Sequence, residues 1–223
     1  MSNRTVSDKY LTITTDDLLR EVLATTPDLQ YQLRNVTSKR VRSTREYLQV
    51  KFPQYSYNDP TGSPVVPMIT IANSYAGECS LRVHTGFYRQ VCSNGMMAAV
   101  SEAAFPRILH LKGKEAQVKQ LAYQIAAFLE SVTAQAAQLQ ELADRKLVAG
   151  QALKIVKELQ FSKRLTARIA DAWVSPSRDE DLGDNLYTLW NVVNEQMRLA
   201  GRSESAQIDK NLSLLDTLVR LAA

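Results

Sequence analysis

A stretch without glycine or proline, residues 114–149, restricts the fold of this chain more than any other feature. Apolar side chains recur within it at three- and four-residue steps: Val118, Leu121, Ile125, Phe128, Leu129, Val132, Ala136 and Leu139. This spacing places them along one face of an α-helix. The pattern predicts one amphipathic helix of about 30 residues, roughly 45 Å long at 1.5 Å per residue.

The residues before this helix alternate between apolar and polar in the manner of β-strands. Four strands are predicted, near 29–34, 45–52, 67–74 and 79–91, and Gly86 inside the last one suggests a bulge. Asn94-Gly95 is expected to end the last strand, since both residues tolerate positive φ. Four prolines between residues 53 and 67 predict a long loop.

Helical patterns occupy both ends of the chain. Thr14 or Thr15 can cap a first helix, and further helices are predicted at about 151–173, 184–200 and 205–222. Strands in succession followed by helices favour an α+β fold, with an antiparallel sheet of about four strands packed by one long helix. We therefore expect an α+β core domain over residues 1–150 and a helical C-terminal region over 151–223.

Positive charge concentrates where the strands are predicted. The net charge is +4. Residues 34–51 contain six cations against Glu46, and residues 79–114 contain five cations against Glu102. The helical C-terminal half is closer to balance. This distribution indicates an anionic ligand at the sheet.

Alternation also predicts which side chains would meet such a ligand. Arg45, Tyr47, Gln49 and Lys51 share one face of the second strand, and Arg82 and His84 share one face of the fourth. Phosphates attract Lys and Arg, and bases stack on aromatic rings at about 1–3 kcal/mol each. The same pattern is also typical of the solvated side of a half-exposed sheet. The candidate nucleic-acid-binding residues are Lys39, Arg40, Arg42, Arg45, Tyr47, Lys51, Tyr55, Tyr57, Arg82, His84, Tyr88 and Arg89.

Signatures of catalysis are scarce. Cys92 and His84 would stand about 26 Å apart on one extended strand, too far for a thiol–imidazole pair. His110 is the other possible partner of Cys92. No Walker loop, GxGxxG or HExxH motif occurs, and two cysteines with two histidines fit no zinc-finger spacing. We expect a non-enzymatic protein without a metal or cofactor.

An acidic segment, residues 178–184, is the remaining candidate for a metal site. It begins Arg178-Asp-Glu-Asp181 and lacks the spacing of oxygen ligands that a calcium loop uses. It is therefore predicted to be a solvated connection that also caps the next helix.

Two segments resemble a known family. Arg89-Gln-Val-Cys92-Ser-Asn94-Gly95-Met resembles the signature of a phage- and plasmid-associated family known as domain of unknown function 932. Leu189-Trp-Asn191-Val-Val-Asn194-Glu195 resembles the helical Asn-rich motif of that family. The resemblance implies a mobile-element context rather than a reaction. The predicted architecture is also similar to the core of phage single-strand annealing proteins, a likeness that carries no residue over.

These observations lead to one expectation about function. The chain is interpreted as a non-enzymatic, homo-oligomeric single-stranded DNA-binding protein, such as an annealing or recombination factor. The alternative is a phage-encoded protein that binds and inhibits an acidic host defence or replication protein. No run of 18 apolar residues occurs and the start of the chain is polar, so a cytoplasmic protein without membrane contact is expected.

Overall fold

The computed structural model describes residues 8–37, 44–74, 76–89, 94–96, 105–148, 150–200, 214 and 217–221. The strands are β1 (Gln32–Thr37), β2 (Arg45–Lys51), β3 (Tyr57–Asn58), β4 (Pro64–Ser74), β5 (Arg82–Arg89) and β6 (Asn94–Met96). The helices are α1 (Thr15–Thr25), α2 (Glu115–Glu130), α3 (Val132–Asp144), α4 (Gln151–Glu158), α5 (Lys163–Val174) and α6 (Leu186–Leu199). The predicted α+β class and helical C-terminal region are confirmed.

The strands form one antiparallel sheet with the order β1-β2-β4-β5-β6, and β3 pairs with β4 beside this path. The four predicted strands correspond to β1, β2, β4 and β5. The two short strands β3 and β6 were not predicted. Each neighbour on the main path is the next long strand in the chain, so simple hairpin-like connections suffice to build the sheet.

Three details of the strand prediction are wrong. The pairing of β4 with β5 is unbroken from Val65↔Arg89 to Ala72↔Arg82, so Gly86 pairs with Met68 and forms no bulge. Asn94-Gly95 does not end a strand, because both residues pair with β5 as part of β6. The predicted loop 53–67 contains a 3₁₀ helix (Pro53–Tyr55), β3 and the start of β4. Pro64 is the first residue of β4, a position that needs no backbone donor.

The first helix begins where its capping residues predict. The Thr14 hydroxyl accepts from the Asp17 backbone N–H at 3.0 Å, and the Asp17 carboxylate accepts from the Thr14 backbone N–H at 3.0 Å. This reciprocal pair is a capping box. The hydrogen bonds from Thr14 lower the pKa of Asp17.

In the part of the chain that the structure describes, the two larger clusters of buried side chains hold the fold together. In the first, α1 and α2 pack on one side of the sheet, against residues such as Leu48, Val50, Ile69 and Ile71. In the second, α3 to α6 pack around Trp190 and reach Phe87 of β5. We call these the sheet core and the C-terminal core. The C-terminal core takes in α3, which precedes the domain boundary predicted at residue 150.

The single long helix predicted for residues 114–149 is two helices that meet at Ser131. The hydroxyl of Ser131 and the side-chain amide of Gln135 both donate to the carbonyl oxygen of Phe128, at 2.7 and 2.6 Å. Side-chain donors of this kind compete with the backbone hydrogen bonds of a helix. The break sends α2 to the sheet core and α3 to the C-terminal core. Among the described residues, no helix is both long and apolar enough to cross a membrane.

Candidate nucleic-acid interface

One side of the sheet faces away from α1 and α2, and we call it the outer face. Residues paired directly across antiparallel strands point to the same side of a sheet. The pairings Lys51↔Met68, Gln49↔Thr70↔His84 and Tyr47↔Ala72↔Arg82 therefore place these side chains together, opposite the sheet core. The described cations and aromatic residues of the outer face are Arg34, Arg45, Tyr47, Lys51, Arg82, His84 and Tyr88.

The middle of the outer face is closed to solvent. Tyr47 is 5% exposed, and Met68 and Thr70 are fully buried. Tyr47 was predicted to offer its ring for base stacking across an open sheet, and its burial contradicts that role. The groups that a ligand can reach therefore lie toward the two ends of the outer face.

At one end, Lys51 and Tyr88 form a cation–π contact. The Nζ atom of Lys51 lies 2.9 Å from the centre of the Tyr88 ring. Partial burial, together with the nearby charge of Arg34, lowers the pKa of Lys51 to about 8. Lys51 is thus a cation at neutral pH whose charge is poorly solvated, which favours pairing with an anion.

At the other end, the described residues line an open cavity of about 590 Å³ that we call the basic cavity. Three arginines line it, Arg45, Arg82 and Arg107, together with Tyr47 and the carboxylate of Glu78. Arg82 and Arg107 are exposed, and Arg45 Nε lies 4.0 Å from Glu78 Oε2. Two cationic side chains remain in excess over the single acid among these lining groups, so the cavity attracts anions.

Two backbone pairings build the wall of the basic cavity. Leu81 and Ile108 exchange backbone hydrogen bonds of 3.0 Å, and Tyr10 forms an isolated bridge with Leu111. These pairings hold residues 107–111 beside the start of β5. Ile108 is buried whereas Arg107 and Leu109 are exposed, as expected for an extended segment with one side packed inward.

His110 forms part of the same wall. Its ring stacks on Tyr10 with 5.1 Å between ring centres. Its Nδ1 lies 3.2 Å from the carbonyl oxygen of Leu11, and because a carbonyl oxygen can only accept, Nδ1 is the donor. Burial lowers the pKa of His110. The Nε2 atom is buried and has no hydrogen-bond partner among the described residues.

Arg89 was predicted to contact phosphates, and the structure contradicts this. Its side chain is fully buried on the helix side of the sheet, where Nε donates to Asp59 at 2.9 Å and Nη1 donates to Asp181 at 2.6 Å. Burial alone would lower the pKa of Arg89, but the hydrogen bond to Asp181 and the neighbouring carboxylates raise it. Arg89 is therefore an internal cation that stabilises the fold.

The ion pairs of Arg89 extend into a larger buried network. The Tyr187 hydroxyl donates to Asp59 at 2.7 Å, and Arg178 connects Asp181 to Glu195. The network joins β5, the turn after β3, the 3₁₀ helix Asp179–Asp181 and α6. The acidic segment was predicted to be a solvated loop, which is wrong for Asp181, since that side chain is buried.

Two predicted stacking residues also point away from the outer face. Tyr57 packs edge-on against Phe87 at 5.9 Å between ring centres, beside the C-terminal core. Tyr55 packs against the sheet core. Both side chains are half-buried on the helix side of the sheet and do not contribute to the outer face. Lys39, Arg40, Arg42 and Cys92 lie outside the described residues.

The sequence interpretation missed three contributors to this surface. Arg34 pairs with Gln49 and so belongs to the outer face, but it is not among the predicted binding residues. Arg107 and His110 lie well beyond the last predicted strand in sequence. The pairings of Ile108 with Leu81 and of Leu111 with Tyr10 bring them to the sheet, and no local sequence pattern predicts those contacts.

The described residues contain no group of three or more histidine, cysteine or acidic side chains that could hold a metal ion.

Over 138 residues, the chain is 26% identical to the UPF0380 protein YfjQ of Escherichia coli (strain K12). The match covers 62% of this chain and 50% of that protein. The chain thus spans about half the length of this curated relative. No solved structure matches the chain.

The two motifs that suggested a family lie in elements that touch in space. The residues after β5 return as β6, and β6 lies against α6, which carries the Asn-rich motif. The profile of the family described as "Domain of unknown function (DUF932)" matches residues 3–219, nearly the entire sequence. The chain belongs to the DUF932 family.

Proposed function

We propose that this protein binds single-stranded nucleic acid, preferentially DNA, at the two ends of the outer face of its sheet. The observation that carries the proposal is the basic cavity, where Arg45, Arg82 and Arg107 converge with one carboxylate. Arginine presents several donors in a fixed plane and suits phosphate oxygens particularly well. The protein would act in the cytoplasm, as a non-enzymatic homo-oligomer.

A second contact point indicates that the ligand is a nucleic-acid strand rather than a single ion. Arg45 and Lys51 are the first and last residues of β2, and six steps of about 3.3 Å place them about 20 Å apart. A flexible strand of a few nucleotides can reach both ends. The cation–π pair of Lys51 with Tyr88 offers a charge for a phosphate beside an aromatic group.

The shape of the surface favours a single strand over a duplex. The basic cavity is concave and also presents the apolar side chains of Leu109 and Leu111. A duplex hides the faces of its bases and would leave these groups without a partner. A single strand brings phosphate and base to the same place.

The test is titration of a labelled oligodeoxynucleotide at several salt concentrations. Each phosphate contact contributes about −0.7 to the slope of log affinity against log salt for single strands. The double variant R82Q/R107Q is expected to bind at least tenfold more weakly and with a slope shallower by about 1.4, equal to two contacts. The matched control is R164Q, which removes an exposed arginine from α5.

The titration also has results that would oppose the proposal. Absence of binding at low salt would rule out a nucleic-acid ligand. An equal loss in R164Q and R82Q/R107Q would show general charge attraction instead of a site. Displacement of the oligonucleotide by an acidic protein, but not by unlabelled DNA, would favour a protein partner.

A further inference from the structure

The basic cavity offers a ligand two kinds of contact, charged and apolar. Arg82 and Arg107 supply exposed cations, and Leu109 and Leu111 are each 42% exposed on the same wall. A ligand that uses both must carry an anionic group and an apolar surface. An inorganic anion satisfies only the arginines.

The size of the cavity limits how much of a ligand it can take. Its volume of about 590 Å³ lies within the usual range for small-molecule sites, about 300–1,000 Å³. A site of this size accepts one nucleotide rather than a longer piece of a strand. The remainder of a strand would extend out of the cavity, toward Lys51 at the other end of the outer face.

We propose that the basic cavity is a pocket for one nucleotide. Its phosphate lies against Arg82 and Arg107, and its base or sugar packs on Leu109 and Leu111. The inference rests on the proposed function and makes it more specific, because it names the unit that is recognised. A free nucleoside monophosphate carries all of the required groups and is expected to bind by itself.

The experiment measures binding of four deoxynucleoside monophosphates, deoxyadenosine and inorganic phosphate by calorimetry, and competition of each with a labelled oligonucleotide. At least one monophosphate is expected to bind at least tenfold more tightly than either deoxyadenosine or phosphate, and to displace the oligonucleotide. R107Q and L109S should each lower the affinity for the monophosphate at least fivefold, whereas R164Q should leave that affinity unchanged. Thermal unfolding of each variant checks that the fold is retained.

The possible results separate the two proposals. If the oligonucleotide binds but no monophosphate binds or competes, the nucleotide pocket is wrong and the proposed function stands. If a monophosphate binds and the oligonucleotide does not, the pocket is supported and the proposed function fails. If phosphate binds as tightly as the monophosphates, the cavity is an anion site only and the pocket is overturned. If nothing binds, both proposals are rejected.

Discussion

Nη1 of Arg89 lies 2.6 Å from Oδ1 of Asp181, although 92 positions separate the two residues in the chain. The contact ties the sheet to the segment before α6, and both side chains are buried. Asp59 completes the arrangement on the other side of the guanidinium. Arg89, a motif residue predicted to bind nucleic acid, is therefore part of the interior.

The first prediction concerns the loss of Arg89. Replacement by methionine keeps much of the side-chain length but removes the cation that pairs with Asp59 and leaves Asp181 with only the longer contact to Arg178, at 3.4 Å. Removing one partner of a buried ion pair costs about 3–5 kcal/mol. The free energy of unfolding of R89M, measured in urea, should fall by that amount, whereas R164Q should change by less than about 0.5 kcal/mol. A value for R89M as small as that of R164Q would contradict the buried network.

A milder change tests the same network from α6. Tyr187→Phe removes only the hydroxyl that donates to Asp59 at 2.7 Å, and Asp59 keeps its contact with Arg89. Loss of one buried hydrogen bond to a charged group should cost about 1.5–3 kcal/mol. The control is Tyr123→Phe, since Tyr123 is 65% exposed and its hydroxyl has no assigned role. Equal thermal stability of the two variants would argue against the Tyr187–Asp59 contact.

Local patterns were enough to predict the fold class but not the network. Alternation correctly placed Arg45, Tyr47, Lys51, Arg82 and His84 on one side of the sheet. Alternation also gives the direction of Arg89. Because Arg89 follows Tyr88 in β5, its side chain points to the opposite side of the sheet, toward the helices. The side that each residue faces follows from period two, whereas the depth of burial there depends on helices far along the chain.

The same limit explains the errors about helices and aromatic residues. Apolar periodicity runs without interruption through Ser131. It gives no sign that the side chains of Ser131 and Gln135 both donate to the Phe128 carbonyl. Tyr47 was placed on the correct face, yet its ring is buried because neighbouring groups close the centre of that face. Periodicity shows which side of a helix or strand a residue faces. Tertiary contacts decide whether its side chain is exposed to solvent.

The lowered pKa of Lys51 predicts how stability changes with pH. Its pKa is about 8 in the folded protein and near 10.4 in an unfolded chain, so the unfolded state binds more protons between these values. Stability contributed by this residue should therefore rise with pH between about 8 and 10.5. The measurement compares the free energy of unfolding of the parent protein and K51Q at several pH values. The difference between the two proteins gives the contribution of Lys51 alone. The contributions of Tyr57 and Tyr187, whose pKa values are raised, cancel in this difference, and they make stability fall rather than rise at high pH.

The last prediction connects the charge of Lys51 to ligand binding. If a phosphate contacts Lys51, binding stabilises the protonated form, and affinity for an oligonucleotide should fall as pH rises from about 7 to 9. For one proton the fall cannot exceed tenfold per pH unit. K51R keeps its charge throughout this range, because an arginine side chain does not lose its proton in proteins. Its affinity should therefore stay nearly constant between pH 7 and 9, and a decline in K51R as steep as that of the parent protein would assign the pH dependence to another group and remove Lys51 from the interface.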